Sequence, residues 1–125
     1  MTSTVLIEGM NEEFANKVVR FFCDALGVDV PNLHIFVDDT IHVAGACYQN
    51  SHDDYLITLK QQDLGQMIVT LAHELVHVKQ YMIDGLAKTF DATIPYRERW
   101  WEVEAYEKEV ELTKLLIEAV TQGNI

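Results

Sequence analysis

The chain has 125 residues with nine basic and twenty acidic side chains, a formal charge of −11, which repels phosphate backbones and anionic lipid and excludes nucleic acid and membranes as expected partners. Its apolar runs are a few residues long and no charged segment precedes a hydrophobic block, so one unexported, soluble, cytoplasmic domain over 1–125 is expected. Cys23 and Cys47 are too few for a disulfide framework or a four-thiolate zinc ribbon; both are expected reduced and buried, and any metal must rely on histidine and carboxylate.

Residues 11–27, NEEFANKVVRFFCDALG, place Phe14, Val18, Phe21, Phe22 and Leu26 at helical spacing, with Asn11 as cap and Gly27 as stop. A short TVLIEG segment before them is a further strand candidate. Three more strands are expected: LHIFVDD from 33, TIHVAGACYQ from 40 and DYLITLK from 54. Asp38-Asp39 and the stretch from Asn50 to Asp53 separate them, and the close spacing predicts an antiparallel meander. Asp63 followed by Gln66 is a capping-box signature for a helix over about 64–84, before Gly85. After a loop with Gly85 and Pro95, a long last helix is expected over about 97–121, ended by Gly123. The order predicts an α+β fold: an N-terminal helix, a small, mostly antiparallel sheet of three or four strands, a central helix and a long C-terminal helix.

The central helix carries VTLAHELVHVKQY, with His73 and His77 four residues apart and Glu74 directly after the first. At about 100° per residue, His77 lies about 40° from His73, while Leu64, Met67, Leu71, Leu75, Val78 and Met82 lie roughly 120–200° away. One face is therefore core and the other holds the histidines. Imidazoles one turn apart on one face can reach a single zinc ion, and Glu74, turned to the side, is placed to take a proton from an activated water.

A catalytic zinc site requires three protein ligands. No histidine follows His77, so a carboxylate must serve unless the chain reaches back to His34, His42 or His52. In the last helix, Trp101, Val103, Ala105, Tyr106, Val110, Leu112, Leu116, Ile117 and Val120 form an apolar arc of about 200° centred near Glu102. Glu104, Glu107, Glu111, Lys114 and Glu118 fall opposite, on the expected solvated side. A carboxylate amid an apolar arc costs several kcal/mol unless a positive partner offsets it, and a zinc ion on His73 and His77 supplies one. Glu98 and Glu109 lie near the same arc. Glu109 is a candidate acceptor for the second ring nitrogen of a liganding histidine, and a buried pair with Arg97 or Arg99 explains either glutamate equally well.

Glu102-Val103-Glu104-Ala105 after His73-Glu74-Leu75-Val76-His77 resembles the ExxA signature that follows HExxH in gluzincin-type zinc metallopeptidases. The resemblance implies a zincin-like fold, one Zn2+ held by His73, His77 and Glu102, and Glu74 as general base. Upstream, AGACYQ and YLITL followed by TLAHELVH are similar to SprT-like metallopeptidase domains. The chain departs from those in lacking a downstream histidine ligand and a Cys-rich ribbon.

The expected function is zinc-dependent hydrolysis of peptide bonds in a peptide or protein substrate. The alternatives are a zinc-binding but catalytically silent or latent interaction domain, or a metal-free adaptor. The strand before the central helix is expected to be an edge that pairs with extended substrate through Tyr55, Ile57 and Leu59. Tyr96, Tyr106, Tyr48 and His52 are candidates to stabilise an oxyanion. His34 and His42 read as sheet residues, and Trp100 and Trp101 as core. Nothing in the residues sets an oligomeric state.

Overall fold

A computed structural model describes residues 4–125. The fold is α+β, with four helices and a four-stranded mixed sheet. Strand β1 (Thr4–Leu6) leads into α1 (Glu12–Leu26), then β2 (Asn32–Val37), β3 (Gly45–Ser51) and β4 (Asp54–Leu59). Helix α2 (Leu64–Met82), a single turn α3 (Leu86–Thr89), a 3-10 turn (Tyr96–Glu98) and α4 (Trp100–Thr121) complete it. No helix among the described residues is long and apolar enough to cross a membrane.

Helix α1 begins where the Asn11 side chain accepts from the Phe14 amide at 3.2 Å and ends where Gly27 adopts φ 72°, a left-handed conformation that favours glycine. Its buried stripe is Ala15, Val18, Val19, Phe22 and Cys23. Phe14, Phe21 and Leu26 pack only partly against the core. Cys47 is less deeply covered than Cys23, and both thiols are free.

The sheet is not the expected meander. Its order is β1-β2-β4-β3, with β1–β2 and β2–β4 parallel and only the β3–β4 hairpin antiparallel. The cause is the connection after β2. Asp38 Oδ1 accepts from the Thr40 amide at 2.9 Å, a local turn that stops the strand, so residues 40–44 are loop and β3 starts at Gly45. The loop carries the chain past one strand position, about 10 Å for two strand spacings, and β4 returns into the gap.

This placement corrects the reading of β4 as a substrate-pairing edge. Both of its edges are occupied, and Tyr55, Ile57 and Leu59 are each fully buried. Together with Leu33 and Ile35 they form the sheet's side of the core. The Tyr55 hydroxyl donates to His52 O at 2.9 Å, which occupies its polar end within the fold. The sheet's two edge strands are β1 and β3, and β3 is the one beside the cleft.

Helix α2 starts with Asp63 accepting from the Gln66 amide at 2.9 Å. It is buried on almost every side: Met67, Leu71, Leu75 and Val78 enter the main core, and Thr70, His73, Glu74, His77 and Gln80 are buried as well. Helix α4 covers much of this polar face. It starts at Trp100 rather than near 97 because Pro95 is followed by the separate 3-10 turn. The predicted 200° apolar arc of α4 is split. Trp101, Ala105, Leu112, Leu116 and Ala119 are buried, whereas Val103, Tyr106, Val110, Ile117 and Val120 are exposed. Ala105, one turn after Glu102, is fully buried.

Candidate metal centre

A cleft of about 590 Å3 opens between β3, α2 and α4. His73 and His77 face it from α2, and Glu102 faces it from α4. Glu102 Oε1 lies 3.0 Å from His73 Nε2 and 3.3 Å from His77 Nε2. One donor atom from each of the three residues lies within 4.8 Å of the others. Donors at 2.0–2.1 Å from a tetrahedral ion are about 3.3 Å apart, and the two Glu102–imidazole separations are close to that spacing.

The remaining imidazole nitrogens are fixed by different means. His73 Nδ1 lies 2.8 Å from Glu109 Oε1. This is the outer contact considered for Glu109, and it replaces the arginine pairing. Arg99 instead donates to Ile94 O at 2.9 Å and Ala92 O at 3.0 Å, fastening the loop before α4. Glu98 is exposed in the 3-10 turn and does not line the cleft, a correction to its candidacy. The added turn displaces it from the helical arc.

His77 Nδ1 lies 2.7 Å from Gln80 Oε1. Gln80 is the functional residue that sequence reasoning missed. Fully buried, it donates from Nε2 to Trp101 O at 2.9 Å and to Glu104 Oε1 at 3.0 Å. With both amide hydrogens committed to acceptors, Oε1 must face His77. His77 Nδ1 must then carry the proton, and its Nε2 is left to face the cleft. Glu104, expected among solvated residues, turns toward α2, where Lys79 also reaches it at 3.4 Å. The available signal was Gln80 at one turn from His77 on the polar face of the helix. Replacing Gln80 with Leu removes the acceptor of His77 Nδ1 and the side-chain donor to Trp101 O, while Glu104 keeps Lys79. The expected cost is about 1–3 kcal/mol of stability and roughly a 10- to 100-fold loss in divalent-metal affinity. Urea denaturation and competition with a chelator measure the two.

Glu74 is 5% exposed beside this cluster. Burial raises its carboxyl, the charges of His77 and His73 oppose that, and Glu102 and Glu109 add to it, leaving the pKa at about 7. The backbone of β3 lies directly on it. A Cβ at Gly45 would sit 2.7 Å from Thr70 Cγ2 and 3.2 Å from both Glu74 Cγ and Oε2. Glycine therefore lets the edge strand approach the carboxylate. Cys47, on the same strand, has its thiol pushed up by burial and by the Glu74 charge.

Burial lowers the His73 pKa, but hydrogen bonds to Glu102 and Glu109 and the Glu74 and Glu102 charges outweigh it and raise it to about 9. Protons and a cation therefore compete for the same nitrogen. The Tyr106 ring meets the His73 ring edge-on at 4.6 Å, and its hydroxyl lies 3.1 Å from that of Tyr96. Burial, Tyr106 and Glu102 all push the Tyr96 phenol up. Both tyrosines line the cleft, as does Trp101, whereas Tyr48, His34, His42 and His52 do not. His34 pairs with Asp54 at 3.3 Å.

No protein-family model matches the chain, and no curated protein or solved structure matches it.

Proposed function

We propose that the protein is a zinc-dependent metallopeptidase with a zincin-like fold and a gluzincin-type ligand set. The observation that carries this reading is one carboxylate oxygen of α4 within 3.3 Å of both cleft-facing nitrogens of the α2 histidines, beside a buried glutamate with a pKa near 7. His73, His77 and Glu102 would hold the ion, whose chemistry is Lewis-acid activation of water and of the scissile carbonyl. Glu74 then takes the proton from the attacking water and passes it to the leaving amine. Tyr96 and Tyr106 offer hydroxyls on the α4 side for the developing oxyanion.

The free edge of β3 supports a peptide substrate. Strand β3 is the last in the sheet order, Gly45, Ala46 and Cys47 line the cleft beside Glu74, and an extended segment could add there by strand pairing. Two imidazoles and a carboxylate also suit iron(II), but a buried acid–base glutamate directly between the histidines in sequence belongs to hydrolysis rather than to oxygen chemistry.

Metal analysis of the purified protein tests the reading. Zinc at about one per chain is expected from the three-ligand site, together with cleavage of an unstructured protein substrate that stops on chelation and returns with zinc. His73→Ala should lose both the metal and the cleavage. Iron in place of zinc, or zinc without any cleavage of a broad peptide library, would refute the peptidase.

A further inference from the structure

We infer that the outer stripe of α4 is a self-association surface that joins two copies of the chain through antiparallel α4 helices. Val103 is 44% exposed, Tyr106 51%, Val110 68%, Ile117 60% and Val120 45%. Isolated exposed apolar residues are ordinary on protein surfaces. These are not isolated, since with the half-buried Thr113 they recur at alternate steps of three and four from 103 to 120, about two and a half heptads in the seam pattern of a two-helix contact. By helical geometry they occupy the sector from about 0° to 100° from Glu102, next to the buried face at about −20° to −100°. The inner sector builds the core and most of the metal site; of the outer one, Tyr106 is covered on one side by His73 and Tyr96 and the Thr113 hydroxyl is buried, whereas Val103, Val110, Ile117 and Val120 are exposed.

The partner that fits this stripe is a second copy. A twofold axis between residues 111 and 112 sets Val103 against Val120 of the second copy, Tyr106 against its Ile117 and Val110 against its Thr113, so every apolar position meets another position of the same seam. The same alignment brings Glu107 beside Lys114 of the second copy, twice. Both side chains are exposed, and Lys114 forms no ion pair among the described residues, whereas Lys108 pairs with Glu111 at 3.5 Å. A parallel arrangement would instead set Lys114 beside Glu109 of the other copy, whose carboxylate is already held by His73, and would leave Glu107 without a cation. Because the Tyr106 ring packs on His73, the seam reaches the rim of the cleft. The C-terminal half of the second α4 flanks that rim in the dimer.

Sedimentation equilibrium at physiological ionic strength, where screening acts beyond about 8 Å and blunts the net charge, tests the interface. The mass should rise with concentration from 14.3 kDa toward twice that value. Val110→Glu combined with Ile117→Glu should hold the protein at the monomer mass at every concentration, with unchanged circular dichroism, since both side chains are exposed. Lys114→Glu should weaken association at least tenfold, and Glu107→Lys added to it should restore association. A wild type that stays monomeric into the millimolar range, or a dimer indifferent to the double glutamate variant, overturns the surface. Failure of the charge swap to restore association overturns the antiparallel register.

Discussion

Glu74→Gln is expected to abolish peptide hydrolysis while zinc content stays at the wild-type level. The amide matches the carboxylate in shape, and the space between β3 and α2 is filled, with Gly45 against the Glu74 stem, so no ligand is displaced. What is lost is the proton transfer, which carries about 10²- to 10⁴-fold of rate. A second result should accompany the first. Burial raises the Glu74 carboxyl from 4.5 to about 7, above its unfolded value, so ionising it opposes folding. Stability that the wild-type, metal-free protein has at low pH is therefore lost as pH rises from 4.5 to 7, whereas the glutamine never ionises. Above pH 7 the metal-free variant should be more stable than the wild type by about 2–3 kcal/mol. Guanidinium unfolding at acidic and alkaline pH measures the gap. Cleavage at the wild-type rate would exclude the base assignment, and a gap that does not open with pH would exclude the buried, protonated carboxyl.

The site was more legible in the sequence than the sheet. His73 and His77 project together because helical spacing alone places them one turn apart, and Glu102 stood out because a carboxylate amid Trp101, Ala105 and Leu112 requires a positive partner. Both are local arguments, valid once α2 and α4 are helices. Glu109 followed from the same periodicity. Gln80 did not, because an amide in a helix has no intrinsic preference for burial, and its role depends on the Trp101 carbonyl and Glu104 arriving from another element.

The sheet shows the opposite limit. Alternation identified β2 and β4 within a residue or so, but strand order is a non-local property. The Asp38–Thr40 turn shortens β3 and makes β4 an interior strand, which leaves β3 as the edge beside the cleft and takes Tyr55, Ile57 and Leu59 into the core. On α4, periodicity found a broad apolar arc but could not show that two surfaces share it, one facing α2 and the other facing solvent. Glu98 failed for a related reason: the break after Pro95 puts it outside the helix whose phase was used to place it.

Glu102→Gln should remove metal binding and, separately, destabilise the metal-free protein in a way that depends on pH. An outer partner of a liganding imidazole is worth roughly 10- to 100-fold in affinity, and loss of a charged donor in direct contact with the ion should exceed that. In the metal-free state, burial raises the Glu102 carboxyl, but the hydrogen bonds and charges of His73 and His77 outweigh it and hold it well below the usual carboxylate range. His73 moves the other way, from 6.5 to about 9. The signs define a window. The contribution of Glu102 is present above 4.5 and fades as pH falls, while that of His73 is present below 6.5 and fades as pH rises toward 9. Breaking one partner of such a buried pair costs about 3 kcal/mol, so the variant should be weakest relative to wild type between pH 4.5 and 6.5, with the difference shrinking toward pH 9. Metal affinity of the wild type should run the other way, rising through that upper range as His73 gives up its proton. Isothermal titration with zinc at several pH values, paired with unfolding curves of both metal-free proteins, would show the two trends crossing. A stability loss independent of pH, or an unchanged zinc affinity, would mean that Glu102 neither neutralises the imidazoles nor reaches the ion.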